Sequence, residues 1–251
     1  MALYERDSYK TPIKTIFNHN IVEYDMKSAN TSIAREFHLL PEAKIVNLEN
    51  MPKKQREIAH GCIMRDNPGY SEKHKLGFIA SRKLFFEMND IRDEEVVAIK
   101  KDAIFTTRYV DVEEVTDNIN FRMKNVYSSY INLGRNVEIF YKQEGLDVKG
   151  IDDDLYKEKH SEYFGEFLHS LIRRVECSDK TSYLTYLRMM YDTYKHRELD
   201  PDYYREFNAR SNFHYLDGKY ATEEYMEDLS LVDITYNLQI ILNLMVMLVT
   251  Q

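Results

Sequence analysis

Apolar positions fall into short strand-like runs over the first 150 residues and into helical spacing after that. Residues 1–20 predict an extended approach, because the proline at Thr11-Pro12 drives its predecessor to extended backbone. Residues 21–24 (Ile-Val-Glu-Tyr) predict a strand, and residues 32–40 a short helix stopped near Pro41. A helix over 52–65 ends at Asn67-Pro68-Gly69, a strong turn signal. A longer helix over 71–90 follows, with Leu84, Phe85 and Met88 expected on one face. Residues 96–99 and 103–106 read as a hairpin, with a third strand near 110–115. Residues 136–141 and 146–150 pair across Gln143-Glu144-Gly145, a short loop containing glycine. From Ile151 the spacing predicts helices over 154–175, 181–197, 201–208 and 223–247. The fold class expected is α+β: an antiparallel sheet with packed helices over residues 1–150, then a mainly helical lobe over 151–251.

Charge supports that boundary. Residues 1–150 hold 23 Lys+Arg and 23 Asp+Glu, whereas residues 151–251 hold 11 and 19, so the second part carries the whole net charge of −8. Such a balance argues against a protein that coats nucleic acid without specificity, since phosphate neutralisation by Lys and Arg dominates that affinity. A neutral lobe with basic clusters still suits a strand, and the acidic lobe suits solvent or a protein partner. Twenty Tyr and twelve Phe with no Trp give a tyrosine-rich core and surface, mostly for packing.

Two cysteines, Cys62 and Cys177, with no CxxC pair and no secretory leader, predict a reduced, cytoplasmic setting. His60-x-Cys62 lacks a second pair at ligand spacing and does not read as a zinc site. The apolar run 238–249 is 12 residues long, against about 20 needed to span a bilayer, so a buried helix is expected and no membrane partner. His169 and His196 read as surface or half-buried residues of the acidic lobe.

The chemistry concentrates on two carboxylates. Asp25 and Asp102, 77 residues apart, each end an apolar strand. A charge there is desolvated unless compensated, and hard oxygen donors suit Mg²⁺ or Mn²⁺. The alternatives are that Asp25 caps the helix over 32–40 and that Lys100 and Lys101 neutralise Asp102 on a hairpin surface. Lys27 and Ser28 lie in a strand-to-helix turn, where free N–H groups can hold phosphate.

At these residues the chain resembles the family B DNA polymerases. The run Asp25-Met26-Lys27-Ser28-Ala29-Asn30 is similar to their first motif, an Asp followed by Ser-Leu-Tyr. Lys100-Lys101-Asp102-Ala103-Ile104-Phe105 overlays their Asp-Thr-Asp-Ser hairpin, keeping the second Asp and replacing the first with Lys100. Lys124 and Tyr127 match a Lys-x-x-Tyr element that touches the primer, residues 146–150 its following strand, and residues 231–245 a thumb segment.

The resemblance implies a compact palm over 1–150 with a shortened fingers-like insertion at 41–80 and a thumb-like lobe over 151–251, lacking an exonuclease. It implies a nucleotidyltransferase that extends a nucleic acid 3′-end with two Mg²⁺ or Mn²⁺ ions held by Asp25, Asp102 and the backbone of Met26. Lys27, Ser28, Ala29 and Asn30 would seat a nucleoside triphosphate, with Lys53, Lys54 and Arg56 neutralising phosphate charge. Lys101, Arg122, Lys124, Tyr127 and Lys149 would contact nucleic acid. Asn30 replaces the Tyr that rejects a 2′-hydroxyl, which implies tolerance of ribonucleotides. The small size points to a virus or mobile element acting in a bacterial or infected-cell cytoplasm. The eroded fingers and Lys100 fit a second reading, a non-catalytic polymerase-derived module that binds nucleic acid or a polymerase partner and regulates replication or transcription.

Overall fold

A computed structural model describes residues 2–134, 137–149, 159–177, 179–196 and 198, and they form an α+β fold. In chain order the strands are β1 (Ser8–Lys10), β2 (Thr15–Ile16), β3 (Ile21–Met26), β4 (Val96–Lys100), β5 (Ala103–Thr106), β6 (Phe121–Tyr127), β7 (Ser129–Gly134), β8 (Val137–Lys142) and β9 (Gly145–Lys149). The helices are α1 (Ala29–Glu36), α2 (Glu42–Glu49), α3 (Lys53–Asp66), α4 (Pro68–Met88), α5 (Lys159–Cys177) and α6 (Lys180–Lys195).

Two compact units result, Met1–Pro12 with Asn20–Val126, and Ile13–His19 with Tyr127–Gln251. The later unit thus takes up the chain from Tyr127. Strand pairing is the reason: Thr15 and Ile16 lie opposite Ile131 and Tyr130, which ties an early segment into the later unit. Charge and periodicity carry no record of such a pairing. The expected helices over 201–208 and 223–247, the apolar run 238–249 and the thumb-like segment 231–245 lie outside the described residues.

The first unit is built on a sheet of order β1-β4-β5-β3-β6, antiparallel between β1 and β4, β4 and β5, and β5 and β3. Val22, Tyr24 and Met26 of β3, Ile99 of β4 and Ile104 of β5 share one core with Ile33 of α1 and Phe78, Phe85 and Phe86 of α4. Tyr70, His74, Gly77, Phe78, Ser81, Arg82 and Phe85 recur three to four residues apart on the buried stripe of α4. Leu84 and Met88 are exposed, so the stripe is rotated from the expected one and centred on Arg82 and Phe85. Asn67-Pro68-Gly69 starts this helix: Asn67 Oδ1 accepts from the Tyr70 N–H at 3.0 Å, and proline stands where its missing N–H costs nothing. The insertion expected at 41–80 thus runs straight into the core helix.

No strand forms at 110–115; only an isolated bridge joins Glu114 to Asn120. Asn89 instead satisfies that backbone, its amide donating to the Val112 carbonyl at 2.8 Å and its oxygen accepting from the Val112 N–H at 2.8 Å. Helix α2 was not expected, and α1 begins three residues before the expected start.

Gly77 lets α1 lie close on α4. A Cβ there would sit 2.6 Å from Ile33 Cγ2 and 2.9 Å from Phe37 Cδ2. Ile33 is fully buried and stiff at χ1. Gly77→Ala should therefore destabilise the protein by about 1–3 kcal/mol through overpacking, read as a lower urea midpoint; an unchanged midpoint would show that the helices separate at no cost.

The second unit holds a sheet of order β2-β7-β8-β9, with β7, β8 and β9 antiparallel in turn, and helices α5 and α6. The expected pairing of the last two strands is present, with Gly145, the first residue of β9, at φ +151°.

Candidate functional site

Strand β3 runs antiparallel to β5, with Asp25 directly opposite Ala103. The Met26 N–H donates to the Asp102 carbonyl at 2.9 Å. The two carboxylate-bearing residues are thus brought to one end of adjacent strands. The Asp25 carboxyl is pushed above the usual carboxylate range, first by burial and then by the charges of Asp102 and Glu23, while Lys124 and Arg122 pull it down. Met26 turns its side chain into the core, leaving its backbone as the part able to contribute. Asp25 is not the helix cap: α1 begins at Ala29 behind Ser28, whose φ of 49° places it in the left-handed region.

Glu23 precedes Asp25 by two positions on β3, so both side chains leave the same face of the strand. It is 2% exposed. Lys124 Nζ lies 3.3 Å from Glu23 Oε1 and 3.9 Å from Asp25 Oδ2, and the Asn125 amide donates to Glu23 Oε2 at 2.7 Å. Sequence reasoning passed over Glu23; its signal was a carboxylate inside the apolar run Ile-Val-Glu-Tyr. Among the described residues no group of three or more His, Cys, Asp or Glu side chains is arranged to hold a metal ion.

The turn after Asp25 borders a cleft of about 690 Å³ lined by Lys27, Ser28, Ser32, Arg35, Glu49, Glu114, Val115, Thr116, Asp117, Asn118 and Asn120. Lys27 N–H donates to the Asn120 carbonyl at 2.9 Å, and Ser32 Oγ donates back to the Lys27 carbonyl at 2.8 Å, which fixes the turn. Arg35 forks to Glu42 at 2.9 Å and Glu49 at 2.8 Å, so its charge is already matched. Those bonds hold the Glu49 carboxyl below its usual range. Three carboxylates and two cations make the walls polar but not strongly cationic. Ala29 is buried at the start of α1, and Asn30, half-buried in its first turn, accepts at its carbonyl from His74 Nε2 at 3.3 Å. Lys53 and Lys54 are exposed at the start of α3, where Lys53 pairs with Glu57 at 3.9 Å. The half-buried Arg56 acts electrostatically on Glu49.

The expected nucleic-acid set divides between the two units, Lys101, Arg122 and Lys124 in the first and Tyr127 and Lys149 in the second. Lys101 holds its ammonium over the Phe78 ring at 5.3 Å, toward α4. Arg122 is exposed on β6, and Lys124 is engaged by Glu23 and Asp25. Tyr127 is fully buried, its hydroxyl donating to Asp147, so its ring cannot meet a primer from where it lies. Lys149 belongs to the second unit, 3.9 Å from Asp147. His169 is half-buried against Tyr141 and His196 is exposed.

Arg82 is a further residue that pattern did not reveal. Its side chain is fully buried and donates to the carbonyls of Tyr4 at 2.8 Å and Lys101 at 2.7 Å, and to Asp7 at 3.3 Å. It thereby holds the β4–β5 turn that carries Asp102. The His60 and His74 rings lie with centroids 4.7 Å apart, tilted by 50°, and the Tyr70 hydroxyl lies 2.7 Å from His60 Nε2. His60 is a core residue.

These observations define an α+β protein with two acidic residues at neighbouring strand ends; among the described residues, no helix is long and apolar enough to cross a membrane. The chain belongs to the Bacteriophage PBS1 gene 130 protein family, whose model matches residues 1–250. No curated protein matches it.

Proposed function

We propose that the chain is a compact, palm-type nucleotidyltransferase of a bacteriophage, dependent on Mg²⁺ or Mn²⁺ and active on a nucleic acid 3′-end in the infected cell's cytoplasm. The observation that carries this reading is the juxtaposition of Asp25 and Asp102 across β3 and β5. The donors fit a hard cation: both are carboxylates, and burial plus the neighbouring acidic charges disfavour an uncompensated Asp25 anion. A bound divalent ion supplies Lewis-acid activation of the 3′-hydroxyl and charge stabilisation at the phosphate. Lys27 and Ser28, which follow Asp25 in the turn, line the cleft where the nucleotide would sit. Asn30 has less bulk than a Tyr, so ribonucleotides would be accepted.

Asp25→Asn should abolish Mn²⁺-dependent incorporation on a primed template, with unchanged circular dichroism, and the parent should use ATP nearly as well as dATP. Equal incorporation by mutant and parent removes the catalytic reading. No incorporation by either, with retained binding to primed template, favours the non-catalytic module. That second reading draws support from Lys101 and Lys124, each engaged within the protein, and from buried Tyr127. A protein partner for the acidic second part belongs to the same proposal.

A further inference from the structure

A second cavity, of about 600 Å³, lies in the first unit and shares no lining residue with the cleft beside Lys27. Met64, Pro68 and Phe78 give it an apolar wall, where covering a hydrocarbon ring is favourable. Most of its charge is already matched. Lys75 pairs with Asp7 at 3.3 Å, and Asp7 also receives Arg82 at 3.3 Å. Lys101 differs: its ammonium rests 5.3 Å from the Phe78 ring centroid, with no carboxylate in ion-pair reach among the described residues. The exposed Glu72 carboxylate on the same wall disfavours more than one added negative charge.

His74 also forms part of this wall and is 1% exposed. Its Nε2 donates to the Asn30 carbonyl at 3.3 Å, and burial holds the imidazole down to about 4, so at neutral pH Nδ1 is an acceptor. Among the described residues, that nitrogen is the one buried side-chain polar atom without a hydrogen-bond partner. A buried acceptor is costly until a donor reaches it.

We infer that this cavity binds a small aromatic acid bearing a hydroxyl, with its ring against Met64 and Pro68, its carboxylate on the Lys101 ammonium and its hydroxyl donating to His74 Nδ1. The Lys101 ammonium and the His74 ring lie 5.3 Å and 5.1 Å from the Phe78 ring centroid, a separation that one substituted benzene ring can bridge. A phosphate ester is the poorer match, because two negative charges would face one unpaired ammonium and Glu72. The inference is independent of any role for Asp25 and Asp102.

Titration of the ¹⁵N-labelled full chain with 4-hydroxybenzoate, followed by NMR, tests it. Saturable shifts should appear at the amides of Ser71, Phe78 and Lys101, and the His74 Nδ1 resonance should move as it gains a hydrogen bond. Benzoate lacks the donor; it should bind about fivefold more weakly and leave Nδ1 unmoved. Phenol lacks the carboxylate and should also lose about fivefold. Lys101→Asn, a residue suited to the turn's φ of +54°, should weaken 4-hydroxybenzoate to the level of phenol, whereas Lys101→Arg should retain it. In the parent alone, no saturable shift at these residues, equal affinity for the three compounds, or an Nδ1 resonance unmoved by 4-hydroxybenzoate overturns the inference. So does a folded Lys101→Asn that binds 4-hydroxybenzoate as the parent does.

Discussion

Replacing Arg82 with methionine should cost about 3–5 kcal/mol, the usual penalty for removing one partner from a buried charged network. The guanidinium has no solvent exposure and spreads three donors over two backbone carbonyls and a carboxylate. Methionine fills much of the volume but leaves the Tyr4 and Lys101 carbonyls without that donor. The Lys101 turn depends on it: its φ is +54°, in the left-handed region, and its N–H donates to the Asp7 carbonyl at 2.8 Å. Arg82→Lys should recover little, because an ammonium cannot reproduce the planar fork. Asp7→Asn should be milder, since Asp7 is 46% exposed. Urea unfolding at neutral pH measures all three; an Arg82→Met loss under about 1 kcal/mol would mean the turn is held by its strands alone.

The protein should also lose stability as pH falls from about 6.5 toward 4, before ordinary carboxylates protonate. Burial holds His60 down to about 4, helped by the charges of His74 and Lys101. Burial likewise holds His74 down to about 4, against its bond to the Asn30 carbonyl and with Lys101 adding to the depression. Between the ordinary histidine value and these folded values, the unfolded chain binds protons that the folded chain refuses, so stability rises with pH across the window. It is fully present above about 6.5 and lost as pH falls through the folded values, at about 3 kcal/mol for each histidine. That is large beside the 5–15 kcal/mol typical of a domain. Asp25 works the other way, its carboxyl being pushed up, and reduces the net fall. Urea midpoints at about pH 7.5 and pH 5 should therefore differ clearly, and the difference should shrink in His60→Gln. Equal midpoints would show that the imidazoles gain protons without disturbing their packing.

Strand β3 and the β4–β5 hairpin were legible because apolar runs of strand length with a polar turn need no distant partner to be recognised. The helices α3, α5 and α6 were legible for the same local reason, as was the pairing of β8 with β9 through its glycine loop. The same alternation led from Asp25 and Asp102 to a shared strand end, which β3–β5 pairing provides. Tertiary structure decided the rest. Segment 13–19 entered the later sheet because Thr15 and Ile16 found partners more than a hundred residues away, and no local pattern encodes that choice. Residues 121–134 became two strands, and α4 turned Arg82 inward while leaving Leu84 and Met88 outside. A buried arginine is tolerable only where acceptors converge on it, here two carbonyls and a carboxylate from the N-terminal segment and the β4–β5 turn, a condition visible solely after folding. Lys124 shares its residue type with every surface lysine; what sets it apart is Glu23, one hundred and one positions earlier, buried beside it.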